Sequence, residues 1–139
     1  GWATWRRVWR RYDYAMFDLP GKFEAGVFED IFEAANVRNY WTNCFAGTYL
    51  RRIDTWDYQF ALTLFENNHL TIVSGVNLIS NIGCAREDAT HIVMDSPYAN
   101  LPRGQLTFPL DHPSHVAACR RVDVVDETFG FGIPSASQA

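Results

Sequence analysis

The chain has 139 residues, of which 47% are apolar, 20% charged and 15% aromatic. That is the makeup of one globular domain and not of a disordered segment. Its longest apolar runs fall far short of the roughly 18 residues of a membrane-spanning helix. A formal net charge of −4 argues against a general nucleic-acid binder.

The first two thirds of the chain show helical spacing. Trp5, Val8, Trp9 and Tyr12 recur at i, i+3, i+4 and i+7, with Arg6, Arg7, Arg10 and Arg11 between them, and Thr4 is placed to cap the start. Pro20-Gly21 reads as a break. Phe28, Ile31, Phe32 and Ala35 form a second stripe. Val37, Tyr40, Trp41, Cys44, Phe45 and Thr48 form a third, beginning after Asn36. A fourth helix is expected from near Asp54 to Asn67-Asn68. It is apolar almost all round, which predicts a central position. Trp5, Trp9, Trp41, Trp56, Phe60 and Phe65 are the expected core.

After Asn68 the pattern changes. Leu70–Val73 is β-prone and closed by Ser74-Gly75, and 76–82 reads as a second short strand closed by Gly83. Four of the six prolines fall between Asp95 and Pro113, which predicts extended, irregular chain. Arg120-Arg121 with Asp123, Asp126 and Glu127 reads as a solvated charged stretch. Residues 130–139 are rich in Gly, Ser and Ala and are expected to fray.

Arg outnumbers Lys eleven to one, with Lys22 the single lysine. Arg is the better fork for phosphate and carboxylate, and a GC-rich genome produces the same bias. Three cysteines without a C-x-x-C pair make a structural zinc site unlikely to form and fit reduced thiols in a cytoplasmic protein. No basic, apolar leader with a cleavage site is visible. Gly1 in place of Met leads us to expect a processed or tagged chain, or a fragment.

Asp54-Thr-Trp-Asp57 is the sharpest chemical feature. Two carboxylates at one helix start satisfy free N–H groups and oppose the helix dipole. A carboxylate on a rigid buried element beside an aromatic wall is also a sound general base for a hydroxyl. His91, after Glu87 and Asp88, and the pair His112/His115 are the imidazoles with acids or a second ring nearby. The Arg pairs 6/7 and 10/11 are able to attract phosphate or to form a solvated face. The chain has no P-loop, no G-x-G-x-x-G, no D-x-D, no G-x-S-x-G and no H-E-x-x-H.

Taken in order, Gly1-Trp-Ala-Thr-Trp-Arg-Arg-Val-Trp9, Asp54-Thr-Trp-Asp-Tyr-Gln59, Asn77–Gly83, Asp88-Ala-Thr-His91, Ser96-Pro with Asn100-Leu-Pro102, and Phe108-Pro-Leu with His112-Pro113 resemble the C-terminal half of bacterial nucleotide-diphospho-sugar transferases, the haemolysin-like or family 2-like glycosyltransferases. The likeness covers residues 1 to 116. A more distant one is to the N-acetylglucosaminyltransferase I type. The resemblance implies an α+β chain, the helix-rich C-terminal portion of a GT-A-like fold, with about four helices followed by one or two short strands and a Pro-rich segment. Residues 1–129 would be the acceptor and base domain, and 130–139 a disordered tail. It implies Asp57 as catalytic base with Asp54 as runner-up, Trp2, Trp5, Arg6 and Trp56 as substrate-binding residues, and His91 at a divalent cation, Mn or Mg. The nucleotide-binding half with its D-x-D is not matched, so the chain is expected to be inactive alone. The implied partners are a donor-binding half, a sugar nucleotide and a glycan acceptor, with no nucleic acid and no transmembrane segment. The alternative is a non-catalytic module derived from such a transferase, either homo-oligomeric or carbohydrate-binding.

Overall fold

A computed structural model of the chain describes residues 2–80 and 101–134. The described residues are helix-rich and contain no strand. Six helices occur among them: α1 (Arg6–Trp9), α2 (Leu19–Glu24), α3 (Val27–Ile31), α4 (Ala35–Tyr49), α5 (Asp57–Glu66) and α6 (Arg120–Val125). Two compact units divide the chain. One combines Gly1–Leu70 with Ile133–Ala139, and the other is Thr71–Gly132. Among the described residues no helix is long and apolar enough to cross a membrane.

In the first unit, α4 follows its sequence pattern closely. Val37, Trp41, Cys44, Phe45 and Thr48 are all buried on one face, and Tyr40 is half-buried beside them. Thr48 tolerates burial because its hydroxyl donates to the Cys44 carbonyl at 2.9 Å. Around α4 gather Met16, Leu19, Phe28, Phe32, Leu62 and Ile133, with Phe65, Tyr58 and Ile31 packed at the margin. Phe28 and Trp41 lie 5.7 and 5.8 Å from the Phe45 ring, centre to centre.

Several expectations are corrected here. Thr4 does not cap α1; Trp5 occupies that position and no side chain caps it. Pro20-Gly21 does not break the chain but lies in the first turn of α2, where a missing N–H costs nothing. The break comes at Gly26, whose φ of 69° turns α2 into α3. Ala35 starts α4 instead of ending the second stripe. The expected core is only partly realised: Trp41 and Phe60 are buried and Phe65 is half-buried, while Trp5, Trp9 and Trp56 are exposed. With just four residues, α1 can bury Val8 alone.

Helix α5 begins at Asp57, three residues later than expected, and its buried face is not wholly apolar. Gln59 and Thr63 are buried there. Their donors bond one turn back: Gln59 Nε2 donates to the Thr55 carbonyl at 2.8 Å and Thr63 Oγ1 to that of Gln59 at 3.0 Å, while Gln59 Oε1 has no partner among the described residues. Half-buried Asn67 continues the ladder, its Nδ2 donating to the Thr63 carbonyl at 2.8 Å. The single lysine, Lys22, joins α2 to α5 through Glu66 at 3.3 Å.

Ile133 is the clearest departure. Placed by sequence in the fraying tail, it is only 4% exposed and belongs to the core around α4. Asn36 Nδ2 holds the next residue, donating to the Pro134 carbonyl at 2.6 Å. Ile133→Ala should therefore cost about 2–3 kcal/mol in urea unfolding, since it leaves a cavity. A frayed residue would cost nothing measurable.

Leu70–Val73, which spans the boundary of the two units in sequence, and the described part of 76–82, in the second, are irregular chain, and neither forms a strand among the described residues. Asn77 organises the Pro-rich segment instead. Its Nδ2 donates to the carbonyls of Leu101 and Pro102 at 3.3 and 3.1 Å, and its own carbonyl accepts the Gly104 N–H at 2.7 Å. The Phe108–Pro109 peptide is cis. The charged stretch is exposed at Arg120, Arg121, Asp123 and Asp126 but not at Glu127, whose side chain is 16% exposed, and it forms α6 followed by a π-helical turn, Asp126–Gly130. Arg120 grips both carboxylate oxygens of Glu127.

Candidate functional site: an aromatic platform beside Asp57

The first unit carries an aromatic surface apart from its core. Trp2 stacks on Trp56 with centroids 5.1 Å apart and planes 23° from parallel. It also lies 6.1 Å from Trp9 and 5.3 Å from Phe60. Trp9 stacks in turn on Tyr12 at 4.7 Å. Phe60, buried on α5, touches Trp2, Trp9 and Tyr12 and so forms the floor of the group. The indoles remain accessible: Trp2 is 55% exposed and Trp9 and Trp56 are exposed as well. Each ring thus has one side fixed by neighbours and part of its surface open to solvent.

Two polar links fix this platform to the helices. The Tyr12 hydroxyl donates to the Trp56 carbonyl at 3.0 Å, tying the exit of α1 to the start of α5. Arg11 donates to Asn67 Oδ1, tying the same exit to the end of α5. Asn67 is the last rung of the side-chain ladder described above, so the anchoring and the ladder are one network.

Asp57 is the first residue of α5 and follows Trp56 directly. Its carboxylate accepts a hydrogen bond from the Thr55 hydroxyl, and its backbone N–H points to the same hydroxyl at 3.4 Å. Asp57 is exposed, not set on a buried element as expected, so its free lone pairs face water or a ligand. Asp54 is exposed too and lies outside the helix it was expected to cap. Trp56 occupies the cap position of α5, and no side chain caps it.

Of the expected site residues, Trp2, Trp56 and Asp57 come together. Trp5 stands apart from the ring cluster, with the Arg7 guanidinium 5.1 Å from its ring centre. Arg6 is exposed on α1. His91 lies outside the described residues. His112 and His115 are in irregular chain, exposed, and His115 Nδ1 is 3.0 Å from the Ser114 hydroxyl. Among the described residues no group of three metal-ligating side chains gathers. Trp9, Tyr12 and Phe60 are the platform residues that sequence reading assigned to the helix stripe or the core. Their periodic spacing was visible; the exposure of one side was not.

The phenols of this unit are perturbed. Burial pushes the Tyr12 hydroxyl above its ordinary value of 10.0, helped by the nearby negative charges of Tyr14, Asp57 and Asp13. Burial also raises Tyr40 and Tyr58, whose hydroxyls interact with each other and with the Cys44 thiol. The sign follows from linkage. A raised phenol stays neutral in the folded chain while the unfolded chain ionises near 10, so stability is full below that pH and falls as pH rises above it. The tyrosine contribution to the unfolding free energy should be flat from neutrality to about pH 10 and decline beyond. Tyr40→Phe should flatten the decline, and a tyrosinate absorbance titration should show a late-ionising fraction that this variant reduces.

No family model, curated protein or solved structure matches this chain.

Proposed function

We propose that the chain is the acceptor-binding, base-supplying part of a sugar-nucleotide glycosyltransferase, with the Trp2/Trp56/Trp9 platform receiving a glycan ring and Asp57 serving the hydroxyl that ring presents. The observation that supports this most is the juxtaposition of a stacked, half-open indole pair with a solvent-facing carboxylate one residue away. Indole faces suit the C–H faces of sugars, and the carboxylate suits their hydroxyls. The ordered likeness of residues 1 to 116 to the acceptor half of such transferases points the same way.

In this reading the acceptor hydroxyl loses its proton to an Asp57 oxygen as its own oxygen bonds to the anomeric carbon of the donor. The bond from that carbon to the nucleoside diphosphate breaks, and the diphosphate leaves with the electron pair. A divalent cation, Mn or Mg, would neutralise the leaving charge, and His91 is the residue of this chain that the resemblance offers to it. Asp54 is the runner-up base. The given segment has no D-x-D, so transfer is expected only when a donor-binding half completes the enzyme.

The platform is tested by titrating neutral oligosaccharides against tryptophan fluorescence. Trp2→Ala should weaken binding about 30-fold, as removal of a central aromatic anchor does. Phe17→Ala, exposed and outside the ring cluster, should leave the affinity unchanged. If no oligosaccharide perturbs the indoles, the reading is lost.

A second reading, a non-catalytic homo-oligomeric module, is favoured by the second unit. There, Ile72, Phe108 and Val116 are strongly exposed, the last at 89%, and apolar surface of this kind is commonly covered by a further chain. A mass that rises with concentration in light scattering would support that reading.

A further inference from the structure

Residues 6–11 place four guanidinium groups in six positions, on and just after α1. None of the four pairs with a carboxylate among the described residues. Arg7 lies over the Trp5 ring and Arg11 is spent on Asn67. Arg6 and Arg10 stand one turn apart, both exposed. Asp13, the nearest acid along the chain, accepts backbone N–H groups from Ala15 and Phe17 at 2.9 Å and not a guanidinium. Like charges at i and i+4 oppose helix formation, and α1 has neither a capping side chain nor an acid in its first turn to offset them. The segment therefore keeps guanidinium groups without a carboxylate partner among the described residues, flanking Trp9 of the platform in sequence, in a chain whose net charge is −4.

We propose that the glycan taken by the platform is acidic: its sugar rings lie on the indoles, and its carboxylate, or an equivalent anionic substituent, is held by the forks of Arg6 and Arg10. This rests on the carbohydrate reading above and names the substrate class within it. Arg presents planar paired donors that match a carboxylate, and charge-assisted hydrogen bonds of this kind are the strong ones. Other anionic occupants fit less well. Trp2 is stacked on Trp56 and packs, tilted by 31°, against Phe60, so the indoles form a supported wall for a ring ligand and not protruding wedges for a lipid surface. Asp13, Asp54 and Asp57, exposed on the adjoining segments, oppose a polymer with a phosphate at every residue. They are compatible with a glycan that carries isolated charges among neutral hydroxyls.

The test is a direct titration of the full chain at low salt with a short oligogalacturonate and with its fully methyl-esterified form. The two share their rings and differ in charge. The acidic form should bind at least about tenfold tighter, and the preference should shrink as salt is added. Arg10→Gln should bring the two affinities to within about twofold, with circular dichroism confirming that the variant is folded. Equal affinity of the two forms for the unaltered chain overturns the acidic preference and leaves the carbohydrate reading standing. Binding of neither form overturns both. Tighter binding to a single-stranded oligothymidylate or to phosphatidylglycerol vesicles than to the acidic glycan overturns the proposal in favour of that occupant.

Discussion

Phe45→Ala should destabilise the first unit by about 3–5 kcal/mol, the range for a large aromatic removed from a close-packed interior. Phe45 is 0% exposed and sits between Phe28 and Trp41 at the centre of the buried cluster. Its neighbours come from α3 and from α4 itself, both set by short turns, so the site has little freedom to collapse into the space left behind. A small domain is stable by only about 5–15 kcal/mol, so the loss is a large share of the total. Urea unfolding followed by tryptophan fluorescence measures it. Phe45→Leu, which retains much of the volume, should recover most of the loss. A cost below about 1 kcal/mol for the alanine variant would contradict the packing described.

Asp57→Asn should lower glycosyl transfer by the completed enzyme about 10²–10⁴-fold, the usual contribution of a positioned base. Acceptor affinity should change little, because the amide is nearly isosteric and the indoles that hold the ring are untouched. That split between turnover and binding separates a base from a residue that only shapes the site. The Thr55 hydroxyl, which donates to the carboxylate, can donate equally to the amide oxygen, so the local start of α5 should survive. Unchanged turnover would remove Asp57 from the chemistry. A loss on Asp54→Asn in its place would move the base to that residue.

Different parts of the structure were legible to different degrees. The buried face of α4 could be read because six of its residues, from Val37 to Thr48, repeat with helical period; its first residue, Ala35, was assigned to the stripe before it. The start of α5 was misread because Asp54 has the side chain of a cap. The helix starts three residues later, at Asp57 behind Trp56, with no side-chain cap at all. The apolar reading of this helix did not place Gln59 and Thr63 in its interior; back-bonding to the preceding turn lets them lie inside. The β-prone run at Leu70 has the composition of a strand, but a strand also needs a partner at the right register, and no spacing rule supplies one. In the candidate site, the residues Trp2, Trp56 and Asp57 could be chosen from the ordered motifs. Their assembly with Trp9 and Tyr12 depends on contacts across more than 40 positions, such as the Tyr12 to Trp56 hydrogen bond.

The burial of Ile133 has a consequence for the order of events when the chain is made. The first unit is not a continuous stretch: its core is completed by a residue that comes after Thr71–Gly132. Closing so long a loop is not costly at equilibrium, since each doubling of length adds only about 0.6 kcal/mol. It matters for rate, because pairings distant in sequence form late. During synthesis, Phe28, Phe45 and Leu62 emerge long before the side chain that covers them. The nascent first unit must wait, with part of its interior open, until the ribosome has read through the whole of the intervening segment.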